Sequence, residues 1–182
     1  MFSHRLDADT YLQLFEPTHA PALFALTDAN RQRLRAWLPW LDRTQTLQDS
    51  LTYIHMSQDQ WAGNNGFVAG IWHQGSLAGV VNFHGIERPA QATALGYWLA
   101  DGFEGKGLMT LACRAMIAQA FGPMGLNRVV IRCATENTRS RAVPERLGFI
   151  LEGILRDNEW LYDHYVDHAV YAMLARDWRP DP

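Results

Sequence analysis

The longest apolar block in the chain is Leu108–Phe121, where only Thr110, Arg114 and Gln119 are polar. That pattern predicts a helix buried on most of its sides. Ahead of it stands Ala94–Ala100 (ALGYWLA), apolar and rich in strand formers. Between them lies Asp101–Gly107 (DGFEGKG), with three glycines and one lysine. The unit reads as strand, glycine loop, helix. Upstream, Tyr11–Phe15 predicts a short strand, and Thr18 stands where it can cap a helix through Ala20–Leu26. The polar stretch Asp28–Arg35 continues as helix and carries Arg31, Arg33 and Arg35. Pro39, bracketed by Trp37 and Trp40, ends it in a bend that holds two indoles.

Thr46 and Asp49 have capping-box spacing, with Asp in place of the usual Glu. The helix they open sets Leu47, Leu51, Ile54 and Trp61 on one face, and Gly63–Gly66 stops it. Phe67–His73 and Leu77–Ile86, joined by Gln74-Gly75-Ser76, predict an antiparallel hairpin. Glu87–Gln91 is a loop, and Arg128–Thr135 is a strand. Pro144 removes a backbone donor and is best tolerated in a first turn, so a short helix is expected to begin near Ala142 or Val143, with Asn137–Arg141 a turn. Phe149–Trp160 and His168–Arg176 predict the last two strands. This order is an α/β fold with a mixed sheet. Ala94–Thr135 should form a right-handed parallel crossover, with ligands beyond the carboxyl ends of its strands. Residues 1–10 read as an N-terminal extension and residues 11–179 as a single domain.

Composition narrows the function classes. A chain of 182 residues supports one domain with a sizeable core. A formal charge of -3 argues against nucleic-acid binding through a basic face. Cys113 and Cys133 offer neither a disulfide framework nor a metal spacing, and read as small core residues of a reducing, cytoplasmic setting. No apolar run reaches membrane-spanning length, and MFSHRLDADT is too polar for a secretory signal. Asp163, His164, Asp167 and His168 invite a metal reading. On a strand, however, His164 and His168 stand about 13 Å apart, too far to share an ion. His73 and His84 are scattered and read as structural.

The glycine loop has chemistry of its own. Glycine lets the backbone approach a ligand closely. The first N–H groups of the helix lack internal partners and lie at the positive end of its dipole, so a phosphate or diphosphate fits there. Lys106 adds a formal charge. The same glycines also read as nothing more than a tight turn, and this stretch alone leaves both readings open.

Over nearly its whole length the chain resembles the GNAT superfamily of acyl-CoA-dependent N-acetyltransferases, and most of all its RimL-type, ribosomal-protein N-terminal branch. The resemblance is carried by Trp37-Leu38-Pro39-Trp40, Gly96-Tyr97-Trp98-Leu99, Gly105-Lys106-Gly107-Leu108-Met109-Thr110 and Leu126-Asn127-Arg128-Val129. It continues through Glu136-Asn137 with Ser140, Leu147-Gly148-Phe149, Glu152-Gly153, Leu155-Arg156 and Asp167. It implies the GNAT fold: a mixed, mostly antiparallel sheet with a splayed parallel strand pair, flanked by helices. It also implies acetyl-CoA as co-substrate, with no metal, nucleic-acid or membrane partner. Homodimers are common among such proteins. The family's Gln/Arg-x-x-Gly-x-Gly/Ala loop falls on Gly102–Gly107. Both key glycines match, whereas Gly102 replaces the Gln or Arg and Glu104 stands where a basic residue is frequent. Glu104 is expected to point away from the diphosphate.

The resemblance also assigns roles. Gly105, Lys106, Gly107, Leu108, Met109 and Thr110 would clamp the cofactor, with the backbone near Leu99 facing its thioester. Asn137 would hold the pantetheine arm or a water, and Ser140 would meet the sulfur; both residues also read as helix-capping groups. One of Arg139 and Arg141 is a candidate for the 3′-phosphate. Glu159 looks like the branch's general base, while Glu152, beside Gly153, reads as part of a structural turn. Trp37, Trp40 and Tyr97 are candidates for the acceptor pocket; the two tryptophans also fit a corner of the core, and Tyr97 a plain core strand. An α-amine, with a pKa of about 7.7–8.0, makes a smaller demand on a base than a lysine at about 10.4. The reaction the resemblance implies is direct acetyl transfer to a protein N-terminus. The alternatives are a small amine such as a polyamine, amino acid or aminoglycoside, and an acyl-CoA sensor without turnover. The basic and aromatic Arg31–Trp40 region favours a peptide or anionic acceptor over a polyamine.

Overall fold

The computed structural model describes residues 3–179. Met1 and Phe2 of the expected N-terminal extension lie outside the described residues. The elements are β1 (Ser3–Arg5), β2 (Thr10–Leu14), α1 (Ala20–Ala29), α2 (Arg31–Arg35), α3 (Leu47–Ala62), β3 (Val68–His73), β4 (Ser76–Glu87), β5 (Ala92–Leu99), α4 (Leu108–Phe121), β6 (Arg128–Ala134), α5 (Thr138–Arg146), β7 (Ile150–Leu161) and β8 (His164–Leu174). The eight strands form one sheet in the order β1-β2-β3-β4-β5-β6-β8-β7. Its described neighbours pair antiparallel except β5 and β6, which run parallel.

Alternation along the strands feeds two cores on opposite faces. Ala69, Ile71, Val81, Phe83, Leu95, Val129 and Ile131 pack against α4, whose buried stripe is Leu108, Met109, Ala112, Cys113, Met116, Ile117 and Ala120. Val68, Leu77 and Val80 face the other way and meet Leu23 of α1 and Ile54 of α3. Both cysteines are buried core residues. β7 is the far edge of the sheet and is exposed over most of its length.

Several local expectations change. Thr18 does not cap α1: it lies in a short 3-10 turn, Pro17–His19, and His19 is the N-cap. That turn is held instead by the Glu16 N–H donating to His19 Nδ1 at 3.0 Å. The Thr46–Asp49 capping box forms as expected. The buried line of α3, however, is Ser50, Ile54 and Ser57, with Leu51 half-buried and Leu47 and Trp61 exposed. Small side chains let α3 sit close, and the larger ones are pushed to the flanks. The helical stretch before Trp37 breaks at Asn30. β8 begins at His164 rather than His168. Glu152 sits at a register shift within β7, not in a turn, and pairs with Arg128.

The largest correction is α5. It starts at Thr138, capped by Asn137, so Asn137–Arg141 is cap and first turn, and Pro144 lies inside the helix. The cap offsets an early start that Pro144 alone argues against.

β4 and β5 approach so closely at Gly79 that a Cβ there would overlap the Trp98 carbonyl oxygen and come within 2.9 Å of Leu99 Cα. Gly79→Ala is therefore expected to cost about 3 kcal/mol of stability by overpacking. Denaturant melts check this; a loss under about 1 kcal/mol would mean the strands shift to make room.

Candidate functional site

β5 and β6 are in register only at Ala92–Arg128, Thr93–Val129 and Ala94–Val130. Both strands then run on, β5 to Leu99 and β6 to Ala134, without pairing to each other. Their parting opens a cleft of about 930 Å³ beyond the carboxyl ends of the parallel pair. The loop before α4 closes one end, α5 another, and Arg33, Leu34, Trp37 and Leu38 form a wall.

The floor of the cleft is the start of α4. Its N-cap, Gly107, has φ +75°, which L side chains rarely adopt, and Gly105 has φ +74°. A Cβ at either glycine would meet nothing within 4 Å, so the backbone angle and not crowding selects glycine. Thr46 caps α3 and Asn137 caps α5, but α4 has no side-chain cap among the described residues. The N–H groups of its first turn, at Leu108, Met109 and Thr110, are left for a ligand beside the positive end of the helix dipole.

Charge around this floor differs from expectation. Glu104 does not point away: it lines the cleft and pairs with both Arg33 and Arg139, the latter at 2.6 Å. Arg33 also donates to the Leu99 carbonyl, and so ties α2 to the end of β5. Two converging guanidiniums account for the inward carboxylate. Arg146 lines the cleft too and donates to Thr110 Oγ1 at 3.2 Å. Arg141 turns elsewhere, to the Tyr171 hydroxyl and the Thr135 carbonyl, both at 3.0 Å, which leaves Arg139 as the cleft-side member of that pair. Lys106 is not among the lining residues; its ammonium lies 5.4 Å from the Phe103 ring centre.

At the α5 end stand Asn137, Ser140 and Tyr97. Asn137 Oδ1 accepts the Ser140 N–H at 3.1 Å. The Tyr97 hydroxyl donates to the Ser140 carbonyl at 2.9 Å. Ser140 Oγ lies 3.5 Å from the Tyr97 oxygen and 3.3 Å from Cys133 Sγ. Burial pushes the Tyr97 hydroxyl and the Cys133 thiol up from their ordinary pKa values, so both stay protonated near neutrality. At rest the Ser140 hydroxyl therefore donates its hydrogen bond to a weak acceptor, the Cys133 sulfur.

The other sequence candidates lie further out. Trp37 lines the cleft, but Trp40 does not; its ring is 6.4 Å from that of Trp98. Glu159 lies on β7, outside the lining, at the end of a register shift that follows Leu155. Its Oε2 is 3.5 Å from His168 Nε2, and His168 Nδ1 is 3.0 Å from the Asn158 amide. His164 Nδ1 contacts Asp163 at 2.7 Å, and Asp167 accepts the Asp157 N–H at 2.8 Å. Among the described residues no group of three or more His, Cys, Asp or Glu is arranged to hold a metal ion, and no helix is long and apolar enough to cross a membrane.

Sequence reasoning missed Arg33, Asn30 and Arg146. Asn30 is buried; its Oδ1 accepts the Asp101 N–H at 2.7 Å and its Nδ2 donates to the Leu26 carbonyl at 2.8 Å, fastening the helix break to the start of the glycine loop. Its signal in the sequence is weak: a poor helix former between two helical stretches. Arg33 gives none, because Arg31, Arg33 and Arg35 read alike until the fold separates them.

Residues 10–150 match the family model described as an acetyltransferase (GNAT) domain. The chain is 38% identical over 179 residues to "Putative ribosomal N-acetyltransferase YdaF" of Bacillus subtilis, covering 98% of each. It is 31% identical over 156 residues to the ribosomal-protein-serine acetyltransferase of Escherichia coli, covering 86% of this chain and 87% of the relative. Among solved structures, the RimL ribosomal L7/L12 alpha-N-protein acetyltransferase in complex with coenzyme A superposes with a TM-score of 0.92 at 27% identity, covering 95% of this chain and 98% of that one.

Asn137→Ala removes the cap of α5 and is expected to cost about 1 kcal/mol. Asn137→Asp, which keeps the acceptor, should cost much less. Thermal melts of the two variants check the pair; equal losses would show that capping is not what holds the start of α5.

Proposed function

The chain belongs to the GNAT acetyltransferase family, and from that premise we propose that it acetylates the N-terminal α-amine of a protein, of the ribosomal-protein kind, in the cytoplasm with acetyl-CoA as donor. The observation that carries this reading is the uncapped start of α4, opening on the cleft where β5 and β6 part. The residues present fit the donor. Amide groups from Gly105 to Thr110 suit a diphosphate, Arg139 and Arg146 supply nearby positive charge, and the gap beside Leu99 suits an extended arm. When bound, acetyl-CoA supplies an acetyl group already activated as a thioester.

The chain's own groups do the rest. Asn137 fixes the first turn of α5 and with it Ser140. Ser140 Oγ, which at rest meets only the weak acceptor Cys133 Sγ and, at 3.5 Å, the Tyr97 oxygen, would give its hydrogen bond to the sulfur that leaves. Trp37 and Tyr97 shape the wall met by the acceptor. The amine must arrive neutral, and about a tenth of an α-amine is neutral at pH 7. Glu159, outside the lining and 3.5 Å from His168, takes the remaining proton through water. The wall formed by Arg33, Leu34, Trp37 and Leu38 supports a peptide over a polyamine, which would call for several carboxylates.

Thiol release from acetyl-CoA against a panel of N-terminal peptides, with polyamines, amino acids and aminoglycosides alongside, tests the acceptor. Release with peptides alone is expected. Release with the small amines alone would overturn the peptide reading, and tight coenzyme A binding without release would favour a sensor.

Two sets of variants test the roles. Glu159→Gln should lower kcat at pH 7 by about tenfold or more and recover as pH rises and the amine deprotonates unaided; wild-type turnover at pH 7 would remove Glu159 from the reaction. Ser140→Ala should lower kcat more than coenzyme A affinity, and the reverse pattern would make it a binding residue.

Glu104→Gln should tighten coenzyme A binding by roughly threefold at low salt, because Arg33 and Arg139 lose a competing anion, with the gain fading at high salt. Calorimetric titration at two ionic strengths checks this. Weaker binding would instead give Glu104 the task of holding the arginines in place.

A further inference from the structure

Pro144 stands inside α5, where a proline withholds one helical hydrogen bond. In an α-helix the N–H of residue 144 would bond to the carbonyl of residue 140. That carbonyl belongs to Ser140, and the Tyr97 hydroxyl occupies it at 2.9 Å. A carbonyl only accepts, so Tyr97 is the donor. The contact joins β5 to α5 across the cleft, on the stretch where β5 and β6 no longer pair.

We propose that Pro144 and Tyr97 are positioning residues for Ser140: the proline leaves the Ser140 carbonyl free, and the Tyr97 hydroxyl clasps it, fixing Ser140 Oγ at the wall of the cleft. The inference rests on the reading of Ser140 given above and adds two residues to it. The clasp also settles where the protons are. The Tyr97 hydrogen is committed to the carbonyl, so the tyrosine oxygen turns a lone pair towards Ser140 Oγ, 3.5 Å away. Cys133 Sγ, at 3.3 Å, is the other neighbour and a weak acceptor. Of the two hydroxyls, Ser140 alone has a hydrogen to give to a sulfur in the cleft. Burial keeps Tyr97 in its protonated, donating form through the working range of pH.

Pro144 has a cost, since a proline in a helix interior destabilises it. A residue kept only for packing at this buried position would be replaced by alanine with loss of contacts. The clasp predicts an unusual combination for Pro144→Ala. The restored N–H competes for the Ser140 carbonyl and the helix regains its bond, so the melting temperature holds or rises by about 3 °C, yet Ser140 is less well fixed.

The experiment is a two-residue cycle of Tyr97→Phe, Pro144→Ala and the double variant. Each is examined by thermal melting, coenzyme A titration, crystal structure and turnover. Tyr97→Phe is expected to lower kcat by about tenfold, the worth of one hydrogen bond, with coenzyme A affinity within about threefold of the parent. Pro144→Ala should lower kcat in the same direction without loss of melting temperature, and its structure should place the Tyr97 oxygen beyond hydrogen-bonding distance of the Ser140 carbonyl. The double variant should resemble Tyr97→Phe alone. Unchanged kcat in Pro144→Ala, an intact Tyr97–Ser140 contact in its structure, or additive effects in the double variant would each overturn the proposal. The melting and structural readouts need no turnover. They judge the clasp even should the acceptor or the reaction differ from the one proposed, whereas absence of thiol release by the parent protein with every amine would strike the functional reading alone.

Discussion

Two neighbouring strands that start together and then separate govern this molecule. Only three residue pairs hold β5 to β6, and everything beyond Ala94 and Val130 is left without a partner across the gap. Backbone polar groups shut away without partners are costly, so such a parting persists only where water or a ligand reaches it. The rest of the sheet makes it sustainable. β5 is paired to β4 on its other side as far as Leu99, and β6 to β8 as far as Ala134. Each strand is thus held rigidly by one edge while the other edge faces the cleft.

The two ends of the cleft solve the problem of helix termini in opposite ways. α5 spends a side chain, Asn137, on its first turn and so becomes a fixed support for Ser140. α4 begins on a left-handed glycine with no side-chain cap among the described residues, and so presents its amides to the cleft. One terminus is closed to build a wall and the other left open to receive an anion. The charges follow the same division. Arg33, Arg139 and Arg146 gather near the open terminus, with Glu104 holding two of them. A carboxylate close to an anion site would repel a ligand if alone. Between two guanidiniums its charge is offset in place.

Much of this could be read from residues in a row. The glycine loop, the bounds of α4, the Thr46–Asp49 box and the hairpin at Gln74–Ser76 all depend on neighbours a few positions apart, and the structure has them. The same holds for Gly105, Gly107 and the first turn of α4, where angle and helix dipole are local properties. The resemblance added the splay of β5 from β6, which no local pattern encodes. Errors arose where a choice was settled at long range. Leu47 and Trp61 look like the apolar face of α3, but packing against α1 and the sheet favoured Ser50 and Ser57, whose small side chains allow close approach. Pro144 argued for a late helix start, but the Asn137 cap stabilises the early one, and the Tyr97 hydroxyl of β5 fills the Ser140 carbonyl that the proline leaves unpaired.

By itself, then, the sequence determined the unit of strand, loop and helix, the alternation that fixes which strand faces meet α4, and the glycines of the loop, because these follow from torsion angles and periodicity within short stretches. Tertiary structure alone decided that Arg33 and not Lys106 reaches the cleft, that Glu104 turns inward, that Arg141 turns away to Tyr171, and that Tyr97 meets Ser140. Those outcomes join residues 30 to 71 positions apart. At such separations a side chain's partner is chosen by how sheet and helices pack, which no run of neighbouring residues records.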